Sequence, residues 1–322
     1  MISDILISVV VITYNSAKYV IETLESAKDQ TYKNIELIVT DDASTDDTLT
    51  LVKQWLDANK GRFAGYKVVE NKTNTGISPN CNRGIMVATG EYIKTLAGDD
   101  LLLNNCIEDL LNYSLKNNLS IAFAKVIPFI DSDNQACVTK LMVYEKLMYE
   151  LFDLDVKQQY RKLLTGFGMY AHGLFVKRQF ILSFGGFDVE YKMMEDYPFL
   201  IKITSMGYKL NLLDNYVVKY RVRSTDIRAE FFSSKRKKNH TSDLSRFEIK
   251  ELLPRLRKER MYIAIYDLFI RKLAVKVENI NSGLMFLYIS KIIGYLSFSK
   301  IALRIKRIKC WLKNSAQKAG LL

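Results

Sequence analysis

Apolar runs rich in β-branched residues alternate with helical patterns through the first 120 residues of the chain. The predicted strands lie at 5–12, 35–39, 66–69 and 92–96. Val20, Leu24 and Ala27 share one face of a first helix, and further helices are predicted over 46–59, 79–88 and 105–117. Unbroken apolar strands that alternate with amphipathic helices predict an α/β fold, with a mostly parallel sheet flanked by helices.

The pattern is less regular from about residue 125 to residue 230. Turns are predicted at Gly166, Gly168, Gly173, Gly185 and Gly186. One helix is predicted over 197–206, begun by Asp196 and Pro198 and ended by Gly207. The predicted organisation is a domain over 1–230 with halves 1–105 and 106–230, a polar linker over 231–245, and a basic, mostly helical region over 246–322.

The net charge of +12 adds to this picture because it is unevenly placed. From Arg255 to the end there are 15 Lys and Arg residues against 3 Asp and Glu, so the first 254 residues carry no net charge. The main domain therefore lacks the basic surface that nucleic-acid binding requires. We expect no nucleic-acid partner, and we expect any anionic surface to meet the C-terminal region.

The spacing of the cysteines indicates the cellular compartment of the protein. Cys81, Cys106, Cys137 and Cys310 show no paired short spacing, which argues against a disulfide framework or a zinc site and fits a reducing cytosol. The chain does not begin with a basic segment, an apolar run and a small-residue cleavage site, so no signal peptide is predicted. The sequence thus predicts a cytoplasmic location.

Polar residues follow all four predicted strands. These segments are 13–15, 41–44, 71–83 and 98–100. Ligands of parallel α/β sheets bind beyond the carboxyl ends of the strands, so we expect the four segments to form one site. Neither a dinucleotide-binding glycine fingerprint nor a phosphate-binding P-loop occurs in the sequence.

Asp99 and Asp100 directly follow an apolar strand. Two adjacent carboxylates repel each other unless they are solvated or bridged by a cation. A Mg²⁺ or Mn²⁺ ion bound through one or two carboxylates and completed by phosphates and water would resolve this repulsion. The alternative is a helix N-cap or a solvated turn.

Two further features have alternatives of the same kind. Within the run 41–44, an Asp or Ser side chain either caps the helix predicted over 46–59 or accepts a hydrogen bond from a nucleobase N–H. Arg83 either pairs with a phosphate or lies on a solvated helix face. The residues alone do not decide between these interpretations.

Taken in order, these motifs resemble the family-2 glycosyltransferases of the GT-A fold. The resemblance rests on SVVVITYNSAKYVIETLESAKDQTYKNIELIVTDDASTDDT and NTGISPNCNRGIMVATGEYIKTLAGDD, and covers about residues 5–105. It continues more weakly to about residue 220 through GGFDVEYKMMEDYPFLIKITSMGYKL. The expected fold is therefore GT-A, which is Rossmann-like, with a helical basic C-terminal region.

The resemblance implies a set of donor-site residues. Nucleotide binding would fall to Thr13, Tyr14, Asn15, Asp41, Asp42, Arg83 and Asp99. Asp100 matches the metal-binding acid of the family's D-x-D-like motif, with Asp99 close to both ribose and metal. Gly98 stands where the spelled motif has its first Asp, so Asp100 is left as the single firm ligand of the implied Mn²⁺ or Mg²⁺.

Glu195 and Asp196 match the family's ED motif, in which a carboxylate is the catalytic base. An inverting sugar transfer needs a base to take the proton of the acceptor hydroxyl. We expect Asp196 to be this base, with Glu195 beside it; its alternative is the N-cap of the helix over 197–206. His172, before the GGFD turn, is either structural or faces the acceptor side.

The C-terminal region carries a further pattern. In KIALRIKRIKCWL, Ile301, Ile305, Ile308 and Leu312 form a narrow apolar stripe flanked by basic residues, which is typical of a helix lying in an anionic membrane surface. A solvated helix packed on the catalytic domain is the alternative. Residues 279–299 are apolar but interrupted by Lys291 and other polar residues, which argues against a membrane span.

The expected function is an inverting transfer of a sugar from a nucleotide-sugar donor, with UDP favoured by the resemblance, to a hydroxyl of a glycan or lipid-linked oligosaccharide. The setting would be assembly of a bacterial surface polysaccharide such as an O-antigen, at the inner face of the cell membrane. The alternative is a non-catalytic sugar-nucleotide-binding module that regulates such an assembly at the membrane.

Overall fold

Eight strands pair into one sheet in the computed structural model, which describes residues 4–129, 148–165, 171–222 and 242–280. They are β1 (Ile7–Thr13), β2 (Ile35–Asp41), β3 (Gly65–Glu70), β4 (Tyr92–Ala97), β5 (Leu101–Leu102), β6 (Ile121–Phe129), β7 (Phe175–Lys177) and β8 (Leu212–Arg221). Their order across the sheet is β3-β2-β1-β4-β7-β6-β8-β5. The first four strands are parallel, β7 is antiparallel to both of its neighbours, and β6 is parallel to β8.

Helices connect the strands. They are α1 (Val20–Lys28), α2 (Thr48–Asn59), α3 (Ile77–Val87), α4 (Cys106–Lys116), α5 (Val156–Leu164), α6 (Arg178–Ser183), α7 (Asp196–Ser205), α8 (Leu253–Lys258) and α9 (Tyr262–Ile280). Short 3₁₀ turns occur at Lys60–Arg62 and Ala171–Gly173, and a π-helical turn occurs at Glu248–Leu252. The predicted α/β class with a mostly parallel sheet is confirmed.

A continuous apolar core underlies the parallel strands. Alternate residues of β1, such as Val9 and Val11, pack with Leu24 of α1 and Val52 of α2, and all four are fully buried. On the other face, α3 approaches the sheet at Gly84, where an added Cβ would collide with Val10. Burying a side chain of this size contributes about 1.5–3 kcal/mol. The sheet is therefore a firm platform for the loops at its rim.

The strand register brings the carboxyl ends of the first strands together. Thr13 of β1 lies opposite Asp41 of β2, and Asp41 lies opposite Glu70 of β3. On the other side of β1, Ile12 lies opposite Ala97 of β4. The polar segments that follow these strands consequently share one edge of the sheet, as the sequence predicts.

Several predicted boundaries need correction. The helix predicted from Asp196 starts one residue earlier than expected, with Glu195 at the N-cap position and no side-chain cap bond, so the N-cap interpretation of Asp196 is wrong. Gly207 ends that helix with a φ of +92°. Residues 242–245, assigned to the linker, are helical, and the Asp243 carboxylate accepts the Met193 N–H at 3.0 Å.

The chain divides into two compact units, 1–245 and 246–322. Among the described helices, none combines the length and the apolarity that crossing a bilayer requires. The predicted turns at Gly166 and Gly168, most of the predicted linker, and the stripe of Ile301, Ile305, Ile308 and Leu312 lie outside the described residues.

Candidate functional site

The loops after β1 and β2 are joined by hydrogen bonds. The Thr13 hydroxyl donates to Asp41 Oδ2 at 2.8 Å, and Ser44 donates to the same carboxylate through its backbone N–H and its hydroxyl. Asn15 accepts the Thr45 N–H at 2.8 Å and donates its own N–H to the Ser44 hydroxyl. Asp41 is fully buried, so it holds the two loops together from inside.

Tyr14 differs from its neighbours because its side chain is 48% exposed. It lies between Thr13, which is buried, and Asn15, which has a φ of +50°. The bonded loops thus present an aromatic ring to solvent at the rim, where a planar base could stack on it.

Asp42 is the centre of a second network. Its Oδ1 accepts from Asn71 Nδ2 at 3.1 Å, the Thr75 hydroxyl at 2.9 Å and Arg83 Nη2 at 2.7 Å. Its Oδ2 accepts the backbone N–H groups of Thr75 at 2.9 Å and Gly76 at 2.7 Å. Burial raises the pKa of Asp42, but these bonds outweigh it and hold the pKa below its ordinary value.

The five donors occupy about all the acceptor positions of one carboxylate. A nucleobase N–H would have to displace one of them to reach Asp42. The donors come from the loop before α3 and from α3 itself, so Asp42 fixes that loop against the end of β2.

Gly76 makes this arrangement possible. Its φ is +102°, and an added Cβ would lie 2.7 Å from the Cβ of Lys192 and 2.8 Å from its carbonyl oxygen. Only glycine combines this conformation with so close an approach. The loop that donates to Asp42 therefore lies directly against the segment before α7.

The capping interpretation of residues 41–44 is wrong. Helix α2 begins at Thr48 after Asp47, and no side-chain cap bond is formed there. The solvated-face interpretation of Arg83 is also wrong, since its side chain is 26% exposed and its guanidinium contacts Asp42, Thr75 and Asn80. Whether Arg83 also contacts ribose or phosphate stays a prediction.

The second acidic pair follows β4. The Gly98 N–H donates to the Ile12 carbonyl, and a Cβ at Gly98 would lie 2.9 Å from both the Ser16 hydroxyl and a Thr13 methyl. The close approach of two loops thus explains why glycine stands where the spelled D-x-D motif has an acid. It also places Asp99 and Asp100 beside the loop of Tyr14.

Asp100 is almost completely buried, at 1% exposure, but is poorly satisfied. Its Oδ1 accepts the Arg221 N–H at 2.9 Å, while its Oδ2 has no hydrogen-bond donor within the described residues. Burial, and next the charge of Asp99, raise the pKa of Asp100 well above its usual range, although Arg221 and Lys94 oppose this. The N-cap and solvated-turn interpretations are both wrong, because α4 starts at Cys106 and Asp100 is not solvated.

His172 lies beside Asp100, with its Nε2 3.6 Å from Asp100 Oδ2. Lys94, a fully buried cation in β4, donates to the His172 carbonyl at 2.6 Å. Burial and the nearby Lys94 charge lower the pKa of His172 to about 3. The imidazole is therefore neutral, and its contact with Asp100 is not an ion pair.

Arg221 is a site residue that the sequence analysis missed. Its backbone N–H binds Asp100, its Nε donates to the Asp99 carbonyl at 2.8 Å, and its Nη2 binds Glu22 at 2.7 Å. The guanidinium also lies 4.3 Å from the centre of the Tyr19 ring. Arg221 thus positions both acids; the available signal was a basic residue at the end of the apolar pattern YVVKYR.

Glu195 and Asp196 lie at the start of α7, and Asp196 Oδ1 accepts the adjacent Tyr197 N–H at 2.7 Å. Burial, and next the charge of Asp196, raise the pKa of Glu195 to about 8. Glu195 therefore holds a proton at neutral pH, which leaves the Asp196 carboxylate as the stronger candidate for a proton acceptor.

The segment before α7 contacts α3, which joins the acidic residues of α7 to the donor side. The Ser78 hydroxyl donates to the Tyr191 carbonyl at 2.6 Å, and Asn82 exchanges hydrogen bonds with the backbone of Phe187. The charges of Glu195 and Asp196 also reach Cys81 of α3, whose pKa burial raises first and these charges raise further. Helix α3 therefore contributes Arg83 to the Asp42 network and also lies beside Glu195 and Asp196.

The site could hold a divalent cation only if the substrate supplied some of the ligands. Within the described residues, no cluster of three His, Cys, Asp or Glu side chains forms a complete metal cage. Asp100 Oδ2 is nevertheless a buried carboxylate oxygen to which no described residue donates, at the rim where a diphosphate would lie. A cation held by one or two carboxylates and completed by phosphate oxygens fits these residues.

The sequence model of Glycosyl transferase family 2 matches residues 8–182, more than half of the chain. The chain belongs to glycosyl transferase family 2. The matched segment contains the site residues from Thr13 to His172, and it stops before Asp196 and Arg221.

Individual relatives agree with this membership. An uncharacterized glycosyltransferase of Haemophilus influenzae is 24% identical over 281 residues, which are 86% of this chain and 78% of that protein. Glycosyltransferase GlyG of Streptococcus pneumoniae is 33% identical over 149 residues, but the match spans only 48% of its length. The enzyme WfaP of Escherichia coli, a UDP-Glc:alpha-D-GlcNAc-diphosphoundecaprenol beta-1,3-glucosyltransferase, is 27% identical over 70% of this chain and 81% of its own.

A solved structure supports the fold. Residues 1–349 of Staphylococcus aureus TarS in complex with UDP-GlcNAc superpose with a TM-score of 0.54 at 19% identity, over 85% of this chain and 66% of that chain. The expected GT-A architecture is thereby confirmed, and the family membership makes this chain a glycosyltransferase enzyme.

Proposed function

We propose that this glycosyltransferase moves a sugar, with inversion at the anomeric carbon, from a UDP-sugar to a hydroxyl of a lipid-linked oligosaccharide. The observation that carries this proposal is Asp100, a buried carboxylate with one oxygen that receives no donor from the described residues, at the rim where the donor diphosphate would lie. The UDP-GlcNAc bound to TarS and the glucosyltransferase activity of WfaP toward a diphosphoundecaprenol-linked sugar support the donor and acceptor classes.

The donor would lie across the rim of the parallel strands. Tyr14 offers a ring for the base, and the loops of Thr13, Asn15 and Asp41 shape the pocket around it. Asp42 and Arg83 belong to the same pocket, with Asp42 acting mainly by fixing the loop at Gly76. Asp99 would contact the ribose beside the cation.

Asp100, assisted by Asp99, would hold Mn²⁺ or Mg²⁺. When bound, such a cation neutralises the charge that develops on the diphosphate leaving group. Arg221 keeps the two acids in place through its bonds to Asp99 and Asp100.

Asp196 would be the catalytic base. Its carboxylate accepts the proton of the acceptor hydroxyl while that oxygen bonds to the anomeric carbon. The bond from the anomeric carbon to the diphosphate oxygen breaks on the opposite face, and its electron pair leaves with UDP. Glu195, which is protonated at neutral pH, does not compete for this proton.

A donor screen tests the proposal. Hydrolysis of UDP-, GDP- and dTDP-sugars by the purified protein would be measured with Mn²⁺, with Mg²⁺ and with a chelator. We expect turnover of a UDP-sugar that requires a divalent cation and is lost in Asp100→Asn. Preferred turnover of another nucleotide class, or full activity with the chelator, would contradict the proposal.

We also infer that the protein is peripheral at the inner face of the cell membrane, where a lipid-linked acceptor would be presented. In the unit 246–322, Tyr262, Tyr266, Phe269 and Leu273 are exposed and follow helical spacing along one face of α9. The same unit holds the basic excess of the chain. Apolar insertion combined with attraction to anionic lipids is how interfacial helices bind membranes.

Vesicle sedimentation tests this inference. Tyr262→Ser with Phe269→Ser should weaken binding to vesicles that contain anionic lipid, while Ile249→Ser, an equally exposed apolar residue on another helical turn, should not. Binding should also fall as salt rises, because surface attraction of about 1 kcal/mol per basic residue is screened. Binding that is unchanged in the double variant would contradict a contribution from α9.

A further inference from the structure

Asp100 Oδ2 and His172 Nε2 face each other across 3.6 Å. They come from different parts of the fold, the loop after β4 and the 3₁₀ turn Ala171–Gly173 before β7. The separation is longer than a hydrogen bond. Two ligands that each lie about 2.1 Å from one ion are about 3.0 Å apart at an octahedral angle and about 3.4 Å apart at a tetrahedral angle. The observed gap is close to that spacing.

The position of His172 is fixed from several sides. Its carbonyl accepts the buried Lys94 ammonium, and its ring lies 4.2 Å from the centre of the Tyr220 ring. The next residue, Gly173, approaches the backbone of Ala124 so closely that no Cβ would fit. The fold thus holds the imidazole against Asp100, and 24% exposure leaves the side chain open to the site.

The charges around the pair favour a cation between them. Asp100 is buried next to the second carboxylate, Asp99, and Asp100 Oδ2 receives no donor within the described part of the chain. Arg221 and Lys94 are directed to other acceptors of the site, namely the Asp99 carbonyl and the His172 carbonyl. The oxygen is therefore still available, and the imidazole Nε2 of His172 lies 3.6 Å from it.

We propose that His172 Nε2 is a second protein ligand of the divalent cation that Asp100 holds, giving the site a mixed nitrogen and oxygen ligand set. This rests on the proposed function, which includes the cation. Mg²⁺ takes oxygen ligands and gives up its waters reluctantly, whereas imidazole is a ligand for transition metals. The ligand set should consequently favour Mn²⁺ over Mg²⁺.

Pulsed electron paramagnetic resonance tests the proposal directly, because the chain contains only two histidines, His172 and His240. Full-length protein with ¹⁵N-labelled histidine would be measured with Mn²⁺ and UDP. We expect a coupling typical of directly bound ¹⁵N in the wild type and in the matched control His240→Gln. The coupling should disappear in His172→Gln. Absence of the coupling in the wild type, or its persistence in His172→Gln, would overturn the proposal.

Metal titrations provide a second readout. With UDP present, the Kd for Mn²⁺ should rise at least about tenfold in His172→Gln, while the Kd for Mg²⁺ should change by less than about threefold. An equal loss for both ions would overturn the predicted preference. If Asp100→Asn abolishes Mn²⁺ binding but the wild type shows no ¹⁵N coupling, only the ligand assignment fails. If the wild type binds no Mn²⁺ with UDP, the metal-dependent function itself fails.

Discussion

The two Asp-Asp pairs at the rim of the sheet look alike in sequence but are opposites in structure. Asp42, in the pair after β2, accepts from five donors and has a lowered pKa. Asp100, in the pair after β4, is as deeply buried, but in the part of the chain that the structure describes it has one backbone donor and one oxygen without a donor, and its pKa is raised. A buried carboxylate whose oxygens all accept hydrogen bonds from the protein stabilises the fold. A buried carboxylate at the rim that lacks such donors is instead a candidate for binding a ligand.

The pair at the start of α7 resembles the unsatisfied pair. Glu195 is protonated near neutral pH because burial and Asp196 together raise its pKa. A carboxyl group whose pKa is strongly raised by burial and by a neighbouring charge is a candidate for acid-base chemistry. The comparison therefore separates one structural carboxylate pair from two reactive ones.

The largest expected effect is at Asp196. Asp196→Asn keeps the size of the side chain but removes the proton acceptor, so transfer should fall by about 10²–10⁴-fold while UDP binding stays near wild type. Steady-state transfer and UDP titration would be measured on the same preparation. A loss below tenfold with normal folding would place the base elsewhere, with Glu195→Gln as the next variant.

Asp100→Asn sharpens the comparison in two measurements. Loss of cation-dependent stabilisation of the leaving group, worth several kcal/mol, should lower transfer by about 10²–10³-fold. The melting temperature at pH 8 should be unchanged or higher, because the variant no longer buries a charge. A marked fall in melting temperature would show that Asp100 is structural after all.

Asp42→Asn should show the reverse pattern, with stability as the main loss. Removing the charge takes away the ion-pair partner of Arg83 and leaves the N–H groups at Thr75 and Gly76 weakly satisfied, at a cost of about 2–3 kcal/mol in the free energy of unfolding. Denaturant unfolding would be compared with Asp47→Asn, an exposed acid at the N-cap of α2 that forms no side-chain cap bond.

The pH dependence of this loss is fixed in sign. The folded pKa of Asp42 lies below its unfolded value, so its contribution is present above about pH 4 and disappears as pH falls through the folded pKa. The stability difference between wild type and Asp42→Asn should therefore shrink under acid. Equal stability of wild type and Asp42→Asn at pH 7 would contradict the structural role of Asp42.

The smallest expected effect is at Glu195. Between its ordinary pKa and about 8, the folded protein keeps a proton that the unfolded chain has lost, so stability falls as pH rises through this range. Glu195→Gln should remove that dependence. The melting temperature of the variant relative to wild type should increase from pH 5 to pH 8 and then level off, and a flat difference would contradict the raised pKa.

The parallel half of the fold could be predicted from sequence because its order is local. Each apolar run and the helix after it form one unit, and β1 to β4 were placed within two residues at each end. The second half of the sheet could not be predicted from sequence. Strand β7 has only three residues, and β6 and β8 are separated by about 90 residues of sequence and pair with shifts in register.

The same distinction applies to the site. The positions of Thr13, Asp42 and Asp100 at strand ends follow from the alternating pattern. The five donors of Asp42 do not, since they come from residues 29 to 41 positions along the chain. One of them, Gly76, also packs against Lys192, more than 100 residues further on. Arg221 reaches Asp100 across 121 residues of sequence, and the proximity of His172 likewise results from tertiary pairing.

The central claim is that Asp100 is the unsatisfied acid that joins a divalent cation to the donor diphosphate. The most direct measurement is the UDP affinity of wild type and Asp100→Asn by calorimetry, with Mn²⁺ and with a chelator. We predict that Mn²⁺ strengthens UDP binding to the wild type at least tenfold and leaves binding to Asp100→Asn unchanged. An equal strengthening in both proteins would contradict the account.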